Sequence, residues 1–203
     1  AIQSISGYEG SASDYDITDN AAALISAGDG VLDVDGVDTV SVTGGPVDAD
    51  TGEALAELSK DVEFDVVDDA NAVAAEVTGV GNGAGDLDEV NTLIVSGGDV
   101  DTSEAGVIQS ISGYDASASD YEITDDVAAV ISAGSSVIEN DGVTRVEVTD
   151  DATALQGVSL NNYSANVEFD VSDNVASISN VLTVSELSNS TSHTSSQAVS
   201  YTQ

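Results

Sequence analysis

Residues Ile2–Thr43 and Ile108–Thr149 are near-copies: at an offset of 106 residues, 28 of the 42 paired positions carry the same amino acid. No other feature constrains the fold as strongly, because whatever the first copy becomes, the second must become too. In this register Tyr8 matches Tyr114, Tyr15 matches Tyr121, Asp19 matches Asp125 and Gly36 matches Gly142.

Each copy contains smaller units. An aromatic–acid–Ile/Val–x–Asp motif occurs at Tyr15–Asp19, Phe64–Asp68, Tyr121–Asp125 and Phe169–Asp173. Alternation of apolar and polar residues marks a strand with one buried face. An Ala-rich or Val-rich stretch follows each: Ala21–Ile25, Ala70–Ala75, Val127–Ile131 and Val175–Ile178. The closing Asp stands where a helix N-cap is expected, since a carboxylate accepts from free backbone N–H groups. A second strand type interleaves at Val40–Gly44, Leu93–Gly97, Val146–Thr149 and Leu182–Ser185. Helix-like stretches follow at Gly52–Leu58 and Ser103–Ile108, where Asp50 with Glu53 and Asp101 with Glu104 have capping-box spacing.

Strand to strand, the step is about 23 to 29 residues until the last, which is 13. One strand and one short helix per period predicts a β-solenoid with short helices, in coils of about 25 residues stacked into one parallel sheet. The alternative is an ordinary α/β domain, which explains the strand–helix alternation but not the near-copies. The solenoid reading makes residues 1–187 a single repeat domain and 188–203 a Ser/Thr-rich tail or inter-subunit strand.

The (Y/F)(D/E)(I/V)xD motif, its Ala-rich sequel and the VSVTG strand resemble the repeats of very large secreted bacterial surface proteins: S-layer-like, adhesin-like and haemolysin-type repeat proteins. The likeness runs from Ile2 to about Ser185. It implies cell-surface display, a structural or adhesive role and, often, calcium. The nonapeptide calcium signature GGxGxDxUx is missing, which argues against a haemolysin-type roll.

Charge narrows the partners. Thirty-eight Asp and Glu stand against Lys60 and Arg145, for a net charge of −36. Such a field repels nucleic acid and anionic membranes, and it strains the compact state unless cations or salt offset it. The apolar residues are mainly Ala, Val, Ile and Leu, with two Phe, six Tyr and no Trp or Met, which suits thin layers of small side chains. Cysteine is absent, excluding disulfides and thiolate metal sites. No signal peptide is visible and the sequence opens at Ala1, so it reads as a mature, processed or excised piece of a secreted, extracellular protein.

Catalysis has little to draw on. The one histidine, His193, lies in the tail, and no phosphate loop, zinc motif or dinucleotide fingerprint occurs. The chain is expected not to be an enzyme.

Calcium is the candidate cofactor, since it takes six to eight oxygen ligands. The candidate ligands are Asp29, Asp33, Asp35 and Asp38 around Gly36; Asp48 and Asp50 with Glu53; Asp86 and Asp88 with Glu89; and Asp99 and Asp101 with Glu104. The same acids also suit helix caps, or solubility in strong salt. Asn162 and Asn189 open N-x-S/T triplets and are candidate glycosylation sites.

The opening residues correspond to the helix-like stretch that follows a second-type strand inside the chain. The last clear second-type strand is Leu182–Ser185. One copy therefore follows another in register, and the expected partner is the chain itself, as a head-to-tail homopolymer. The assembly residues are Ile2, Ile5 and Tyr8 at one end and Leu182, Val184, Val199 and Tyr201 at the other. The functional expectation is a structural subunit of an extracellular filament or surface layer, with surface polysaccharide as a further partner. A calcium-stiffened segment of a large adhesin is the alternative.

Overall fold

The computed structural model describes residues 14–78, 87, 90–164, 166–174 and 177. In chain order the elements are β1 (Tyr15–Asp19), α1 (Ala21–Ala27), α2 (Asp29–Leu32), β2 (Val37–Val42), α3 (Ala49–Ala56), β3 (Val62–Glu63), β4 (Asp65–Asp68), α4 (Ala70–Thr78) and β5 (Thr92–Val100). After these come α5 (Thr102–Ser110), β6 (Asp120–Asp125), α6 (Val127–Ala133), α7 (Ser135–Ile138), β7 (Val143–Val148), α8 (Ala154–Asn161) and β8 (Val167–Glu168).

The chain divides into two compact units. One comprises the described residues up to Ser96 together with Ser110–Asp115; the other comprises Gly97–Gln109 and the described residues from Ala116 onward. The first is built on Leu24, Leu32, Val40, Leu55, Val66, Val73 and Leu93, all fully buried. The second is built on Ile108, Tyr121, Ile123, Val130, Ile138, Val146 and Leu160, also fully buried. These positions sit at strand period 2 and helix period 3 to 4, so alternation and amphipathicity both reach the core.

The expected β-solenoid is not what forms. The structure is a mixed α/β fold with two parallel sheets, of three strands in the order β1-β2-β3 and five in the order β4-β5-β6-β7-β8, and with eight helices among the described residues. It fits the ordinary α/β alternative, although the strands run in sequence order without the reversal of a doubly wound sheet. Two physical features separate it from one continuous solenoid sheet. First, Phe64 breaks a strand. Val62 and Glu63 pair with Val40 and Ser41, whereas Asp65–Asp68 pair with Thr92–Val95, so the chain leaves one sheet for the other across the buried Phe64 ring. Second, six of the helices run seven to nine residues, and each of the six buries apolar or small side chains, which makes the helices a packing layer of their own.

Sequence copies become structural copies. The β1–α1–α2–β2 run recurs as β6–α6–α7–β7 at an offset of 106, and α3 and β3 recur as α8 and β8 at 105. The bridge Val47–Val66 recurs as Ala152–Val171. Glycine divides the Ala-rich helix in both copies: Gly28 (φ 61°) and Gly134 (φ 74°) adopt a backbone that other residues avoid, ending α1 and α6 and opening α2 and α7. Among the described residues no helix is long and apolar enough to cross a membrane.

Two glycines give opposite expectations. At Gly113 a Cβ would fall onto the Val90 carbonyl oxygen, whereas at Gly106, inside α5, its nearest neighbour is Val137 at 3.9 Å. Urea melts should therefore show Gly113→Ala destabilised by about 1–3 kcal/mol. Gly106→Ala should be stabilised by about 0.5–1 kcal/mol. Equal responses would contradict the packing around Gly113.

Candidate functional site

The acidic side chains define the site, and they work in pairs at the strand ends. Asp19, Asp68, Asp125 and Asp173 close the four strand motifs. In each, Oδ1 accepts from the backbone N–H of the next residue, at 2.8, 2.8, 2.8 and 2.7 Å. In the first three motifs that next residue is the actual helix cap. Asn20, Asp69, Asp126 and Asn174 accept from Ala23, Ala72, Ala129 and Ser177 N–H at 2.8–3.0 Å. The cap thus falls one residue later than the motif suggests.

Three of the four strand-end aspartates also reach back along the chain. Asp68 Oδ2 accepts from Ala49 N–H at 2.9 Å, 19 residues earlier. Asp125 Oδ2 accepts from Thr102 N–H at 3.1 Å and its hydroxyl at 2.7 Å, 23 residues earlier. Asp173 Oδ2 accepts from Ala154 N–H at 3.2 Å. Asp150 does the same for Val127 N–H at 2.7 Å. Each contact satisfies an orphan donor in the first turn of a helix, where negative charge is also favoured by the helix dipole.

Titration follows from these bonds. Burial works to raise the Asp125 carboxyl, but the Thr102 hydroxyl and the Thr102 and Asp126 N–H groups outweigh it and hold it below the ordinary carboxylate range. Thr51 lowers Asp48, through its side chain and its N–H. The Asn174 and Ala154 N–H groups lower Asp173. Each such group contributes stability that is present above the ordinary carboxylate pKa and lost as pH falls through its depressed folded value.

Glu76 on α4 goes the other way. Hydrogen bonding with Glu53 comes first, then desolvation and the charges and contacts of Glu53 and Asp50 on α3, and together they push it up to about 7. Its proton relieves like-charge contact between the helices, so its contribution is present below pH 4.5 and is lost as pH rises through about 7.

The remaining candidate calcium ligands are spread over the fold. Asp29 opens α2 and accepts from the N–H and hydroxyl of Ser59 at 2.8 and 3.0 Å. Asp33 is the C-cap of α2, Asp35 lies in the following turn, and Asp38 is exposed on β2. Asp48 caps α3 through Thr51 N–H at 2.9 Å, and Asp50 lies in that helix's first turn rather than at its cap. Asp99 is exposed on β5. Asp101 and Glu104 form the expected reciprocal pair, each accepting the other's N–H at 2.8 and 3.0 Å. Among the described residues no three acidic or imidazole groups converge to hold a metal ion. Asn162 is the exposed C-cap of α8. Asp86, Asp88, Glu89, Asn189, His193, Ile2, Ile5, Tyr8, Leu182, Val184, Val199 and Tyr201 lie outside the described residues.

Both basic side chains are built into the fold. Lys60 Nζ donates to the Val37 carbonyl at 3.0 Å. Arg145 on β7 bridges Glu122 on β6 at 2.7 Å, Glu147 at 2.8 Å and Glu168 on β8 at 3.2 Å. In the other copy the same sheet face uses hydroxyls: Thr39 Oγ1 donates to Asp16 at 2.5 Å and Ser41 to Glu63 at 3.0 Å. Sequence reading missed the backward reach of the strand-end aspartates, the Glu76 cluster and the Arg145 bridge. The recurrent closing Asp was the one available signal for the first.

No protein-family model, curated protein or solved structure matches the chain.

Removing the double contact at Asp125 should cost about 0.5–2 kcal/mol, the range for a lost helix cap, measured for Asp125→Ala by urea denaturation at pH 7. Across pH 4.5 to 7.5 the melting temperature of Glu76→Gln should decline less than that of the unaltered chain. Parallel curves would refute the Glu76 assignment.

Proposed function

We propose that this chain is a non-catalytic structural subunit of an extracellular filament or surface layer, with copies following one another head to tail in the register of the 106-residue repeat. One observation carries the reading: helix N-termini are tied to carboxylates at or just past strand ends, 19 to 23 residues later in the chain. Each repeat element is therefore completed by its successor. That is the logic of an array, in which stability comes from neighbour-to-neighbour contacts.

The charge fits such a role. A surface of exposed carboxylates keeps the body solvated, while cations or salt screen it enough for copies to approach. The engagement of Lys60 and Arg145 within the fold supports a structural rather than an anion-binding part.

Electron microscopy of the purified chain, with salt varied and with calcium or chelator, tests the proposal. Filaments or sheets with a regular axial repeat are expected. Loss of order in chelator would add calcium as the cement. Dispersed single particles under every condition would overturn the subunit reading and favour a stiffened segment of a larger adhesin.

A further inference from the structure

The turn that ends α8 carries three consecutive residues in three different situations. Asn162 is the exposed C-cap, in right-handed backbone (φ −79°, ψ −14°) that any residue adopts. Its backbone N–H donates to the Ser159 and Leu160 carbonyls, so the helix end is closed by main chain and not by the Asn162 amide. Tyr163 is half-buried, its hydroxyl set against the Val130 and Ile131 carbonyls at 3.4 Å. Ser164 is held by both its N–H and its hydroxyl, which donate to the Glu139 carboxylate, the hydroxyl at 2.7 Å.

The first copy shows which of these features the fold itself requires. At the offset of 105 that relates α3 to α8, the same turn reads Glu57-Leu58-Ser59. The serine is retained, and Ser59 gives its N–H and hydroxyl to Asp29 at 2.8 and 3.0 Å. Serine is therefore a structural fixture of the turn in both copies. The C-cap is not. Glu57 closes α3 in the same backbone region (φ −70°, ψ −11°) and is exposed, so the fold accepts an acid there as readily as an amide. Asparagine in place of glutamate leaves the turn unchanged and turns it into Asn-Tyr-Ser, the acceptor pattern for N-linked sugar. An exposed position where a helix passes into a loop is the context that pattern needs.

We propose that Asn162 is an N-glycosylation site, modified by a sugar donor carried on a lipid pyrophosphate. Asn162 Nδ2 bonds to the anomeric carbon of the sugar, the bond from that carbon to the pyrophosphate oxygen breaks, the lipid pyrophosphate leaves with the electron pair, and the amide gives up one proton. The acceptor pattern needs the serine hydroxyl as well as the amide. In the folded turn that hydroxyl is committed to Glu139, so transfer precedes closure of the turn. Once the turn closes, the sugar extends from the exposed end of α8, and the helix face that packs, Ala154, Gly157 and Leu160, is undisturbed. A bulky hydrated group then stands where the other copy has a carboxylate.

Mass spectrometry of the chain purified from the cells that make it, cut with an endoprotease that cleaves at acidic residues, tests the assignment. The peptide containing Asn162–Ser164 should be heavier than its sequence by the mass of one or more sugars, with fragment ions placing the addition on Asn162. Asn162→Gln, made in the same cells, should return that peptide to its sequence mass. Ser164→Thr should keep the sugar and Ser164→Ala should lose it. Glu139→Gln weakens the same structural contact but leaves the triplet intact, and it should keep the sugar, which separates loss of the acceptor hydroxyl from a folding defect. An unmodified Asn162 in the chain from its own cells would overturn the site. So would a sugar that persists in Asn162→Gln.

Discussion

The carboxylate at the end of a strand, shared between its immediate successor and the start of a helix some twenty residues earlier, is the contact on which the fold turns. Helices of seven to nine residues are too short to persist alone in water. Apolar burial holds one face of each to its unit, but the first-turn N–H groups still need acceptors. Asp68, Asp125, Asp150 and Asp173 provide them from neighbouring strands or loops, while Asn20, Asp69 and Asp126 provide them locally. Helix and sheet layers are thereby joined by the same residue type that gives the chain its charge.

That arrangement sets two demands against each other. The aspartates that accept helix N–H groups do so most strongly when ionised, yet a net charge of −36 penalises compactness. The two copies answer differently. On the sheet face one uses hydroxyl-to-carboxylate bonds from Thr39 and Ser41, and the other gathers three glutamates around Arg145. On the helix layer, Glu53 and Asp50 of α3 crowd Glu76 and push its carboxyl up to about 7. Their counterparts on α8 are Leu155 and Val158, so the second copy has no such repulsion at those positions. A shared backbone therefore carries two electrostatic solutions.

Much of the element map was legible in the sequence. The motifs at Tyr15 and Tyr121 became β1 and β6, and Val40, Leu93 and Val146 seeded β2, β5 and β7. The Ala-rich stretches became α1, α4 and α6, and the Asp101–Glu104 capping pair formed as its spacing implied. The failures share a cause. Phe64 begins the same motif as Tyr15, but its ring is buried where the chain passes between two sheets, so the expected strand Phe64–Asp68 starts only at Asp65 as β4, and the residues before it, Val62–Glu63, form the unexpected β3 in the other sheet. The cap falls one residue later than expected because in every motif the closing Asp already accepts the N–H of its immediate successor.

Amino-acid order alone determined the repeat, its period, the alternation of strand with helix and the choice of inward-facing residues, since these depend on local periodicity and on identity between copies. Which strands pair, where one sheet ends and the next begins, and which carboxylate serves which helix were decided only in three dimensions. A strand–helix period of about 25 residues is equally compatible with one continuous solenoid sheet and with two separate parallel sheets. The choice rests on packing at single points such as Phe64, and on hydrogen bonds such as Asp125 to Thr102 that join residues 23 positions apart. No local pattern encodes those distances.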